Sequence, residues 1–489
     1  MNDHASKPLT GVDIAWLRMD SPTNLMIINA MIITEDMEFK DFKNTIINRF
    51  LRFPRFMTRP VQVSGEYVWE KDPYFDLANH VKKVALPGKA DKKALQTYLA
   101  DQLSMPFDDS KPLWQILFVE NYQGGRSIIL RVHHCYADGL ALISVFNSIT
   151  DGSANVAPFS VAQAASNEET PDEELNYEWP KYQRLIDNAS ERADRYAKFA
   201  KKISSDGISI LRDQDAMRGI VGDGVRAATE LAQLATMPAD PRSTLKGKLG
   251  VRKTCAWSEP VSFEKFHGIA KVVGCKINDL LMSCVAGAFR EELIRAGENL
   301  EGRNVHVTIP VNIRPMDKMD LSQNPDDLGN QFGTVFAALP VDIENPLERV
   351  YKIKHDMIAL KQSLQPALSY GILYATGMLP KSMQRALTES FGNKTTAVMS
   401  NVPGPREARY IAGSKIKEQM FWVPQTGDLG IGLSIISYGG QIQFGLVGDS
   451  RLLPNPERIV SQFVAQIELH RTDIVASYIE DLVQPTVIG

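Results

Sequence analysis

Ser127-Ile128-Ile129-Leu130-Arg131-Val132-His133-His134-Cys135-Tyr136-Ala137-Asp138-Gly139 is the stretch that decides how this chain reads. Its first six residues are largely apolar, as in a buried strand, and the histidine pair falls where that strand ends. Asp138 stands where the N-cap of a following helix belongs, and that helix is predicted over Gly139–Ile149. Glycine lets the chain turn sharply into it. Imidazole is the side chain best matched to proton transfer near neutral pH. A histidine at such a strand–turn–helix junction points to a group-transfer enzyme with a histidine base. Neighbouring strand residues face opposite ways, so only one of the pair can face a given substrate. His134 is the expected base and His133 its support. Asp138 is expected chiefly to organise the loop, with Arg314 as a candidate cation for it.

Working outward, residues 1–150 alternate strand and helix signals and form an N-terminal domain that carries the HHxxxDG pattern. Strands are expected at Leu25–Ile33, Val61–Glu70 and Gln115–Glu120, and helices at Asp41–Arg52 and Lys93–Leu103. From 151 to 245 the chain is a polar linker, rich in Ser, Asn, Glu and Pro, followed by a helical crossover over Lys181–Ala235. The segment 246–489 is a second α/β block. Its expected helices are Ser262–Val273, ended by Gly274, one opened by Asn278-Asp279, two between Pro346 and Leu387 broken near Pro366, and a last one from Pro456. Its expected strands are His306–Ile313, Gln331–Val341, Thr396–Ser400 and a hairpin, Leu433–Tyr438 with Gln441–Val447, closed by Gly439-Gly440.

The 489 residues exceed one ordinary core, and 44% apolar with 23% charged residues is the balance of a soluble globular protein. A net charge of −4 argues against nucleic acid as the main partner. The N-terminus lacks a signal-like apolar stretch, and no run nears the roughly 18 apolar residues that cross a bilayer. A cytoplasmic protein, free or peripherally attached to a lipid surface, is the expectation. Four cysteines (135, 255, 275 and 284) lack metal-type spacing and read as reduced, buried thiols. Cys135 is interposed between base and turn, with its side chain facing away from His134, which disfavours a covalent role. No GxSxG, Walker or GxGxxG pattern occurs. Asn278 reads as an N-cap, or alternatively as a donor to an oxyanion. The basic stretch Arg242, Lys246, Lys248, Arg252 and Lys253 reads as a solvated loop, with coenzyme or lipid phosphate as the other option.

Pro112-Leu113-Trp114, His133-His134-Cys135-Tyr136-Ala137-Asp138-Gly139, Ile277-Asn278-Asp279, Val311-Asn312-Ile313-Arg314 and Ser400-Asn401-Val402-Pro403-Gly404-Pro405-Arg406-Glu407 together resemble the bacterial wax ester synthase/acyl-CoA:diacylglycerol acyltransferase family, in its order and spacing. The histidine motif alone is shared with chloramphenicol acetyltransferase, plant acyltransferases and condensation domains. The Asn-Asp and Asn-Val-Pro-Gly-Pro elements narrow the resemblance. It implies two chloramphenicol-acetyltransferase-like domains, mixed sheets covered by helices, meeting at a tunnel. It also implies O-acyl transfer from acyl-CoA, as co-substrate and without a further cofactor, to a fatty alcohol or diacylglycerol at membranes or lipid inclusions. The site residues it implies are His134, His133, Asp138 and Asn278 for catalysis, and Gly139, Asp279, Trp114, Asp20 and Asn401 for substrate binding. The glycine-rich Gly427–Ser434 departs from the family form and leaves the acceptor side open.

Overall fold

The computed structural model describes residues 7–154, 229–230, 232–314 and 328–483, with backbone alone from 474. The expected crossover helices over 181–228 lie outside the described residues.

Two mixed sheets dominate. The first has six strands in the order Tyr410–Ile411, Ser414–Trp422, Ile27–Thr34, Arg126–His133, Trp114–Val119 and Val81–Val84. The second has seven strands and runs Phe332–Pro340, Asn304–Asn312, Ala397–Pro403, Ile431–Tyr438, Gln441–Asp449 and Lys253–Trp257, with Val261–Ser262 also on Gln441–Asp449. A small sheet joins Lys7–Pro8 to the hairpin Thr58–Val63 and Glu66–Lys71. Where one strand was expected over Val61–Glu70, Ser64 and Gly65 turn with φ of 51° and 91°, so the segment folds back on itself.

The first sheet is not built from the first 150 residues alone. Ser414–Trp422 leaves the second half of the chain and pairs antiparallel with Ile27–Thr34, Met420 opposite Met31 and Trp422 opposite Asn29. Ile27–Thr34 in turn pairs with Arg126–His133, Ile27 opposite His133. A shared apolar cluster (Ile33, Leu99, Leu117, Trp257, Trp422, Val447) binds the two halves together.

Helix ends follow local rules. Asp138 caps Gly139–Ile149 by accepting from the Ala141 N–H, and Gly274 (φ 70°) ends Phe263–Val273 in the left-handed conformation that glycine tolerates. The expected pair of helices after Pro346 is three, Pro346–Lys361, Gln365–Met378 and Lys381–Gly392, because Pro380 makes a second break besides that at Pro366. The strand expected over Thr396–Ser400 runs on through Asn401-Val402-Pro403 as Ala397–Pro403, parallel to Ile431–Tyr438. Helix Ile277–Arg295 is almost wholly buried against the second sheet. Among the described residues no single helix is long and apolar enough to cross a membrane.

Candidate active site

Between the halves lies a cavity of about 1670 Å³. That exceeds the roughly 300–1,000 Å³ of ordinary ligand pockets. His134 lines it, with Gly139 and Leu142 from the helix beyond the motif, Phe332 and Leu373 from the second half, and Phe421 from the crossing strand. Its charged lining residues besides Asp138 are Asp151, Arg406, Glu407 and Arg409. They come from two segments that a backbone bridge between Asp151 and Tyr410 holds together at 2.7 and 2.8 Å. Apart from Asp138, charge thus gathers at one end, and the rest of the wall is apolar or neutral.

His134 follows the last strand residue, and its backbone N–H donates to the Met26 carbonyl at 2.7 Å. Trp16, on helix Gly11–Met19, stacks on the imidazole with centroids 4.0 Å apart and planes at 12°. Asn330 fixes the tautomer. Its Nδ2 donates to Asp13 Oδ1 at 2.9 Å and to the His134 carbonyl at 2.8 Å. Its Oδ1 therefore faces His134 Nδ1 at 2.9 Å, so Nδ1 carries the hydrogen and Nε2 the lone pair. Burial, the dominant influence, pulls the His134 pKa down to about 4, and the ring is neutral at physiological pH.

His133 points elsewhere. Its Nδ1 accepts from the Cys135 N–H at 3.2 Å, and Nε2 lies 3.3 Å from Asp20 Oδ2 without an aligned hydrogen bond. Asp20 Oδ1 also accepts from the Met26 N–H at 2.5 Å, steadying the loop whose carbonyl holds His134. Asp20 is not a cavity-wall residue; it meets His133 instead. Asp138 accepts from the Gln331 N–H at 2.9 Å and from Arg314 Nη2 at 3.1 Å. Its bonds tie the motif loop to the segment that carries Asn330, and the imidazole is oriented by Asn330.

Asn278 and Asn401 both line the cavity, and Asn401 Nδ2 donates to Asn278 Oδ1 at 3.1 Å. Asn278 Nδ2 makes only a long 3.8 Å contact with the Met282 sulfur and keeps donor capacity. The expectation that Asn278 is an N-cap is corrected: the helix begins at Ile277 with Lys276 at its N-cap, and Asp279 caps it from the first turn by accepting from the Lys276 N–H at 3.1 Å. Asp279 is buried, desolvation raises its pKa, and it does not line the cavity. Trp114 is likewise outside the cavity wall, because its Nε1 donates to the Phe56 carbonyl at 2.7 Å and its ring stacks on His80. Lys246 and Lys253 are neither solvated nor on a phosphate site. Lys246 bonds the carbonyls of Asn393 and Thr395, and Lys253 donates to Asn24 Oδ1 at 2.8 Å, both buried. Burial pushes the Cys135 thiol well above its ordinary pKa, which withholds the thiolate. A histidine–hydroxyl pair, His470 with Ser283 at 3.0 Å, is buried under the second sheet's helices and does not line the cavity.

Asn330, Asp13 and Trp16 were not singled out by sequence reasoning. Each is an isolated residue of common type, and no spacing within the chain relates 13, 134 and 330.

A neutral histidine with a fixed tautomer, on the wall of a large interlobe cavity in a chloramphenicol-acetyltransferase-like fold, is a site built for acyl transfer, and family membership makes the protein an O-acyltransferase. The profile of the wax ester synthase/diacylglycerol acyltransferase catalytic domain matches residues 9–281, and that of the WS/DGAT C-terminal domain matches 328–470. The chain belongs to that family. A Mycobacterium tuberculosis relative named "Probable diacyglycerol O-acyltransferase" is 24% identical over 409 residues, covering 81% of this chain and 79% of its own length. The solved wax ester synthase/diacylglycerol acyltransferase from Marinobacter aquaeolei VT8 superposes with a TM-score of 0.66 at 18% identity, over 96% of this chain and 99% of that one. The first condensation domain of the calcium-dependent antibiotic synthetase shares the fold at TM-score 0.58 and 13% identity, over 95% and 97%.

Proposed function

We propose that this acyltransferase esterifies a fatty alcohol or diacylglycerol with the acyl group of acyl-CoA, and that His134 is the general base. The observation that carries this is the hydrogen bond that His134 Nδ1–H donates to Asn330 Oδ1, which leaves an unprotonated Nε2 on a ring at the cavity wall. Nε2 accepts the acceptor's hydroxyl proton as the oxygen attacks the thioester carbonyl. The tetrahedral oxyanion takes hydrogen bonds, for which Asn278 Nδ2 is the candidate donor among the wall residues. Collapse breaks the C–S bond, and the coenzyme A thiolate recovers the proton from Nε2. The cycle needs neither an acyl-enzyme nor a cofactor.

The cavity's volume suits two long chains together, and burial contributes about 0.8 kcal/mol per CH₂ to holding them. The exposed Arg406 suits the phosphate-rich end of the donor, while the Arg409 guanidinium holds the Asn147 and Thr150 carbonyls at the same end of the cavity. Acceptors of this kind reside in bilayers and lipid inclusions, so a cytoplasmic enzyme held peripherally at such surfaces is the matching location, and cell fractionation tests it.

The decisive experiment follows coenzyme A release from palmitoyl-CoA with hexadecanol, diacylglycerol and polar alcohols as acceptors. His134→Ala is expected to fold normally and to turn over at least about 100-fold more slowly. Near-normal turnover in that variant would remove the base assignment.

A further inference from the structure

Resting on His134 as the base, we propose that Asp13 is a positioning residue for acyl transfer: through the Asn330 amide its buried carboxylate dictates which imidazole nitrogen of His134 meets the substrates. Asn330 can be placed in two ways, related by a flip of its amide. Against the His134 carbonyl and Asp13 Oδ1, 2.8 and 2.9 Å away, only the NH₂ end fits, since a flipped amide would set oxygen against two acceptors. Asp13 makes that choice one-sided, because a carboxylate accepts and does not donate.

Burial raises the Asp13 pKa, and the groups facing the carboxylate oppose that rise. They are the Thr10 N–H at 3.4 Å, the Asn330 amide and the Arg55 guanidinium at 4.0 Å, donors all. Around His134 stand Asn330, the Trp16 indole and Phe332, with the Asp138 carboxylate and His133 as the nearby titratable groups. Asp13 and His134 do not touch. The Asn330 amide lies between them and does not titrate, so the carboxylate can orient the imidazole without a direct ion pair that would hold it as imidazolium. Asp13 and Trp16 are three residues apart on helix Gly11–Met19 and share a face. A single helical turn therefore sets both the tautomer and the ring plane of the base.

The test is a mutant cycle on the full-length enzyme with palmitoyl-CoA and hexadecanol. Asp13→Ala should lower kcat at least about tenfold, with KM for both substrates within about twofold. Asp13→Asn still offers an acceptor oxygen but can also turn its NH₂ toward Asn330, so it should restore only part of that loss. In an Asn330→Ala background, Asp13→Ala should add nothing, because its effect runs through Asn330. Asp91→Ala, which removes the cap of helix Lys92–Leu103 away from the cavity, should lower the melting temperature and leave kcat in place. If Asp13→Ala does not fold, Asp13→Ser takes its place in the same cycle. Additive losses, an unchanged kcat, or a loss confined to KM would overturn the proposal. Turnover surviving in His134→Ala would instead strike the base assignment beneath it.

Discussion

Gly11 and Gly377 meet backbone to backbone: a Cβ built on Gly377 would sit 1.7 Å from the Gly11 carbonyl oxygen. Helix Gln365–Met378 can cross helix Gly11–Met19 this closely only because both positions lack a side chain. The contact presses the helix that carries Asp13 and Trp16 toward the motif histidine. Gly377→Ala should therefore displace that helix, lowering the melting temperature and kcat together. Gly371, on the same helix, has open space around it: nothing lies within 4 Å of where its Cβ would stand. Gly371→Ala should instead stabilise the fold by about 0.5–1 kcal/mol, the helical preference of alanine over glycine. Thermal melts and steady-state rates of the two variants check the contrast.

Asp138 and Arg314 form a buried pair, with side chains only 6% and 5% exposed. Asp138→Ala leaves the guanidinium buried without its carboxylate, and Gly139–Ile149 without its cap. A loss of about 3–5 kcal/mol is expected from the broken pair. Arg314→Met should cost less, since Asp138 keeps the N–H groups of Ala141 and Gln331. Denaturant midpoints of the two variants measure the difference.

The pH response follows from burial of neutral imidazoles. His134 and His470 are both lowered from an ordinary 6.5 to about 4, chiefly by desolvation. Between those values the unfolded chain binds protons that the folded chain refuses. The stability is present in full above pH 6.5 and falls as the pH drops toward 4. Each histidine accounts for up to about 3 kcal/mol of that loss. Over the same window His134 stays unprotonated in the folded enzyme. kcat/KM should therefore hold level from pH 8 to about 6 and decline only as the pH approaches 4. An acid limb centred near 6.5 would show that the ring titrates like an exposed one.

Trp114 lies outside the cavity, so Trp114→Phe should leave the acyl-chain and acceptor preferences unchanged. It should cost about 1 kcal/mol through the lost indole bond to Phe56. A shift in chain-length profile would contradict that placement.

What was legible from the chain was local. The apolar run before His133, the cap at Asp138 and the glycine stop at Gly274 each act within a few residues, and the elements they mark stand where they were expected. The strand Ser414–Trp422 was missed because its partner, Ile27–Thr34, is nearly 400 residues away in sequence. Asn330 escaped notice for a related reason, since it matters only once the second half brings it against His134. Trp114 and Asp279 belong to motifs, yet one packs in the core and the other caps a helix, roles that a motif does not distinguish from ligand binding.

The strand that Ser414–Trp422 lends to the first sheet makes the two lobes inseparable. A fragment stopped before Ser414 would expose the flank of Ile27–Thr34, eight residues of which all but one are buried in the intact fold. Such a naked sheet border recruits other chains, and clumping is the natural fate of the piece. Splitting the gene between the lobes would then yield sticky precipitate in place of a smaller enzyme. Only co-expression of the missing ribbon could be expected to rescue it.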